Sequence, residues 1–157
     1  MSKNIKGLVL ITGTTSGVGF NTLKPLLRFG WEVIAVNRSN KRAVKIAEEF
    51  LTKEEFKNVH FIEIDLSNLD DVRKGCDEIL ERFKKPINSL ICNAAVYKPR
   101  LKRPERSAQG FENSMAVNHF GHFLMINLLI KNILSSEREI VLTVSYTHLT
   151  LPTTTPV

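Results

Sequence analysis

Short apolar runs alternate along this chain with longer stretches whose apolar residues return every three or four positions. The first run, GLVLITG at 7–13, is continuous and ends in Gly, which predicts a buried strand. VGFNTLKPLLRFG has helical spacing, with Gly30 as its stop and Pro25 inside it as a candidate kink. WEVIAVNR predicts a second strand. SNKRAVKIAEEFLTKEEF predicts one amphipathic helix capped by Ser39 or Asn40. VHFIEIDL predicts a third strand, and SNLDDVRKGCDEILERFKKP a helix capped by Ser67 or Asn68, with Asp70 and Asp71 in its first turn. INSLICNAA reads as a fourth strand, VYKPRLKRPERSAQG as a loop, and FENSMAVNHFGHFLMINLLIKNIL as one long, largely apolar, buried helix. REIVLT begins a fifth strand. No internal repeat interrupts this order.

Strands alternating with helices demand right-handed crossovers and a parallel sheet. The predicted class is therefore α/β, a Rossmann-type doubly wound parallel sheet, of which the chain holds the N-terminal portion. Strand order 3-2-1-4 follows from that fold.

Composition refines this only slightly. A length of 157 residues suits one domain or part of one, and 43% hydrophobic with 24% charged residues is ordinary for a globular protein. The net charge of +6 attracts anions without choosing among nucleic acid, acidic lipid and a phosphorylated cofactor. Cys76 and Cys92 lack metal-type spacing and suit a reduced, intracellular protein. No apolar run reaches the ~18–20 residues that span a bilayer. The opening MSKNIKGLVLITG resembles a signal peptide in outline, but its apolar run is only LVLI and leads into a glycine motif. It reads as the first strand, and the expected location is cytoplasmic.

That glycine motif, TGTTSGVG, places Gly13, Gly17 and Gly19 between a strand and a helix, with Thr15, Ser16 and Val18 among them. Free N–H groups at a helix N-terminus meet a pyrophosphate, and glycines let the backbone approach it. A packing turn is the competing reading; the strand–turn–helix context favours a dinucleotide. An acidic residue ending the second strand would select NAD. Here Asn37 is followed by Arg38, with Arg42 one helical turn on. Guanidinium groups clamp a 2′-phosphate, so NADPH is the expected cofactor. Arg42 serves equally well as a solvated helix charge. Asp65 and Leu66, after the third strand, are placed to meet the adenine, although Asp65 could cap the next helix instead. Asn93, Ala94 and Ala95 end the fourth strand, where small residues let a cofactor lie close.

Together, TGxxxGxG, Asp65, Asn93–Ala95 and the N-x-x-G-H-F of Asn118–Phe123 resemble the short-chain dehydrogenase/reductase family, over about residues 5–135. Within it, CNAAVYKPRLKRPERSAQGFENSMAVNHFGHFL is similar to the light-dependent, protochlorophyllide-reducing branch, particularly its cyanobacterial members. The resemblance implies hydride transfer from NADPH to a D-ring double bond of protochlorophyllide in chlorophyll biosynthesis, after the pigment absorbs light. It also implies a catalytic role for Asn118, supporting a proton-relay water and positioning the Lys of a Y-x-x-x-K pair. Peripheral thylakoid association is implied in the same way. A carbonyl or retinol-type dehydrogenase and a non-catalytic NADP-binding protein are the alternatives. His119 and His122 sit three apart without a third ligand, so helix packing around Gly121 is expected rather than a metal. The basic stretch KPRLKRPER reads as a solvated loop; contact with nucleic acid is not expected, and contact with anionic lipid is a lesser option. Cys92 reads as a buried thiol.

The last segment departs from all this. VSYTHLTLPTTTPV, 144–157, is rich in Thr and Pro, and Tyr146 is followed four residues later by Thr150 where the family pair needs Lys. A DNA string that would encode VSYTHLTLPT resembles the end of a transposase-type sequencing adaptor. The expected division is a partial NADP-binding domain at 1–143 and a non-native tail at 144–157, giving an inactive, poorly soluble fragment.

Overall fold

The computed structural model describes residues 6–98, 105–136 and 140–143. The segment 144–157 and the basic residues 99–104 lie outside them. Five parallel strands form one sheet in the order β3-β2-β1-β4-β5, with β1 at Leu8–Thr12, β2 at Glu32–Asn37, β3 at Val59–Glu63, β4 at Ile87–Cys92 and β5 at Ile140–Thr143. The expected order is present, extended by β5 beside β4. β1 is central and buried throughout, which is why its run is continuous rather than alternating.

Helices cover both faces. α1 (Gly17–Arg28) packs on a cluster of Val9, Ile11, Leu23, Leu27, Val33 and Ala35. On the other face, α4 (Leu69–Arg82) and the helix before β5 pack on Leu8, Leu10 and Ile34 through Val72, Ile79, Met125 and Leu129. α1 runs unbroken through Pro25, and Gly30 closes it in the left-handed region at φ 86°. Asn68 is the cap of α4, its side chain accepting from the Asp70 N–H at 3.1 Å.

Two predicted helices are corrected. The stretch 39–56 is α2 (Asn40–Phe50) and a short α3 (Lys53–Phe56), divided at Leu51, whose backbone is extended. Thr52 starts the second piece through a capping box with Glu55. The long apolar helix is α5 (Asn113–Met115), a π-helical turn at Ala116–Gly121, and α6 (His122–Leu134). α6 is buried on one face only; Phe123 and Leu134 are exposed on the other.

Candidate dinucleotide site

The carboxyl ends of β1, β2, β3 and β4 converge on the glycine loop. Gly17 stands at φ 57°, a conformation that costs an ordinary residue about 1–2 kcal/mol. Gly19 is needed for space: a Cβ there would lie 2.1 Å from the Gly13 carbonyl oxygen and 2.4 Å from the Asn93 side-chain nitrogen. A Cβ on Gly13 would meet Ala94 Cα at 2.8 Å. No side chain caps α1 at Ser16, and its first turn holds no acidic residue. The positive end of α1 is thus left for an anion.

Hydrogen bonds fix this loop to three strands. The Gly13 N–H donates to the Val36 carbonyl at 2.8 Å, and the Thr14 N–H donates to Asn37 Oδ1 at 2.8 Å. Asn93 Nδ2 donates to the carbonyls of Thr12 and Gly13. Thr12 Oγ1, fully buried, accepts the N–H groups of both Asn93 and Ala94 at 2.9 Å and meets His122 Nε2 at 2.9 Å.

Two open clefts of about 180 and 420 Å³ flank this assembly and share Gly13, Thr15, Ala94 and Ala95. Arg38, Asp65 and Leu66 line one; Ser16, Gly17, Val18, Asn93 and Tyr97 line the other. Gly19 lies beneath the loop. Arg42 is exposed on the first turn of α2 and is not among the lining residues. Of the two arginines, only Arg38 is brought to the cleft. Beside it, Glu63 Oε2 accepts the Asn40 N–H at 2.7 Å, so the start of α2 already carries a carboxylate. Asp65 lines the cleft, and its carboxylate accepts from the Ser67 N–H and hydroxyl in the turn before α4, whose cap is Asn68 and not Asp65.

Asn118 is exposed, and its amide is committed to one residue: Oδ1 accepts from the Val96 N–H at 2.7 Å and Nδ2 donates to the Val96 carbonyl at 2.9 Å. The two histidines do not converge. His119 stacks on Phe123, whereas His122 is buried against Thr12. Burial drives the His122 pKa below its ordinary value, partly opposed by a hydrogen bond to the Asn118 backbone. Both thiols are buried, which pushes Cys76 and Cys92 up to about 12. Sequence reasoning missed Thr12 and His122; their signal was a Thr ending β1 and a His one helical turn after Asn118.

A parallel sheet with a glycine loop at its carboxyl edge defines a dinucleotide-fold protein. Residues 7–152 match the model of the short chain dehydrogenase family, and the chain belongs to that family. Among curated relatives it is 41% identical over 134 residues to the chloroplastic protochlorophyllide reductase of Cucumis sativus, covering 84% of this chain and 33% of that protein. It is 42% identical to the one from Pisum sativum over the same shares. These are plant proteins, whereas the motifs suggested the cyanobacterial form. The chain spans about a third of their length. Among solved structures, an uncharacterised Mycobacterium paratuberculosis protein aligns with TM-score 0.71 and 29% identity over 90% of this chain and 46% of that one. A Shigella flexneri short chain dehydrogenase complexed with NADP aligns with TM-score 0.72 and 18% identity, over 87% and 57%, a likeness of fold.

Proposed function

We propose that this chain is the cofactor-binding portion of an NADPH-dependent oxidoreductase that reduces the D-ring double bond of protochlorophyllide in a light-driven step. The observation that carries the cofactor reading is the uncapped, acid-free N-terminus of α1 behind Gly13–Gly19, with Arg38 lining the same cleft. Gly13, Gly17 and Val18 would face the pyrophosphate, with Gly19 packed beneath them, and Arg38 would face the 2′-phosphate. Ala94 and Ala95 would let the cofactor lie against the backbone after β4. When bound, NADPH supplies the hydride. Substrate identity rests on the 41% identity to plant protochlorophyllide reductases, together with the C-N-A-A-V-Y and N-H-x-G-H-F stretches. Asn118 holds the Val96 backbone and thereby the floor of the site; its relay role belongs to the same proposal.

Calorimetry on the complete gene product tests the cofactor. NADPH should bind far more tightly than NADH. Charge-assisted hydrogen bonds are each worth about 1.5–3 kcal/mol, so Arg38→Ala should weaken NADPH roughly ten- to a hundredfold and leave NADH unchanged. Equal binding of the two would overturn the assignment. Illumination with protochlorophyllide should then yield chlorophyllide. Dark turnover of an alcohol or ketone would instead favour the carbonyl or retinol-type dehydrogenase.

A further inference from the structure

We propose that His122 is a positioning residue for the dinucleotide cleft: as a neutral acceptor it orients the Thr12 hydroxyl, which in turn holds the Asn93 and Ala94 amides at the cleft floor. The inference rests on the cofactor reading for its consequence and on hydrogen-bond stoichiometry for its substance. A hydroxyl has one proton and two acceptor lone pairs. Both lone pairs of Thr12 Oγ1 are taken by the Asn93 and Ala94 N–H groups, each at 2.9 Å. The remaining direction is for the proton, and it meets His122 Nε2 at 2.9 Å. That nitrogen must therefore be unprotonated. The ring's proton belongs on Nδ1, in keeping with its hydrogen bond to the Asn118 backbone, where only a carbonyl can answer.

The consequence reaches the cleft without His122 touching it. Asn93, Ala94 and the loop residue Gly13 line the two pockets, and Asn93 Nδ2 binds the Thr12 and Gly13 carbonyls. A Thr12 side chain that lost its acceptor would rotate and loosen its hold on these two half-buried amides, most of all on that of Ala94, since the Asn93 N–H also reaches the Ile91 carbonyl at 3.1 Å. The helix is held in the register that delivers His122. A Cβ on Gly121 would lie 2.3 Å from the Leu66 carbonyl oxygen, and Leu66 lines the same cleft. The π-helical turn at Ala116–Gly121 sets Asn118 on Val96 and His122 on Thr12 together.

The test uses the complete gene product with ¹⁵N-labelled histidine. The His122 signal should show a protonated Nδ1 and a bare Nε2; the opposite tautomer sinks the proposal. Two variants follow. Glutamine can present an acceptor near the Nε2 position, and leucine cannot. His122→Leu should speed hydrogen exchange at the Asn93 and Ala94 amides and weaken NADPH about tenfold, the size expected for a lost buried hydrogen bond. His122→Gln should restore both. Variants that match each other in exchange and affinity, with folding intact, would show His122 to be mere filling. Should leucine prevent folding, the tautomer and the glutamine variant still decide. Absence of NADPH binding in the unsubstituted protein defeats the function proposed above, while tautomer and amide exchange still judge His122.

Discussion

Gly17 and Gly19 are two positions apart and answer to different constraints. Gly17 is required by its torsion angle, with nothing near the place a side chain would occupy. Gly17→Ala should therefore cost about 1–2 kcal/mol in a urea melt, and Gly17→Asn less, because Asn tolerates that region. Gly19→Ala forces a methyl into a backbone carbonyl that cannot retreat without moving the loop. Overpacking of this kind costs about 1–3 kcal/mol, and the same variant should lose NADPH binding in calorimetry. The thiols make a second residue-scale case. With Cys76 and Cys92 pushed up to about 12 by burial, a maleimide should label neither in the native protein and both in denaturant. The glycines were legible in the sequence because spacing alone reports their role. The division between Arg38 and Arg42 was not, since Arg38 precedes the Ser39 cap and only Arg42 lies on α2, so helical spacing does not relate the two.

At the scale of elements, α2 and α3 show how a local signal can override periodicity. The apolar pattern runs on through Leu51, yet Thr52 and Glu55 cap each other and restart the helix. T-K-E-E was visible as a capping box, and the periodic reading simply outweighed it. Glu55 also pairs with Arg28 at 3.0 Å, tying α3 to α1. Burial raises its pKa, but the Thr52 and Arg28 hydrogen bonds outweigh that and leave it below the ordinary carboxylate range. A depressed folded pKa gives stability that is present above the unfolded value and lost as pH falls through the folded one. Acid titration of stability should show this loss. Thr52→Ala should shrink it and should cost about 1 kcal/mol at neutral pH, measured by chemical denaturation. The π-helical turn had no comparable signal, because Phe120 and Phe123 stand three apart, a spacing that an ordinary α-helix accommodates as well.

Across the whole molecule, the order of strands was legible because βαβ handedness leaves few alternatives, and the placement of β1 followed from its unbroken apolar run. β1 pairs with a strand on each side and is buried throughout. Its amides should exchange most slowly of all, and those at the ends of the sheet fastest, as native-state exchange can show. What no pattern in the sequence conveyed was the stitching between β1 and β4 through side chains. Asn118 meets Val96 as a neighbouring strand would, spending both ends of its amide on one peptide unit. The chain is therefore anchored four residues past β4, and the Arg106–Glu112 bridge gathers it again further on. With its departure from the sheet pinned at Val96, the next residue, Tyr97, is held beside Ser16, Gly17 and Val18, so a change in the Asn118 amide would be felt at the nucleotide's own seat.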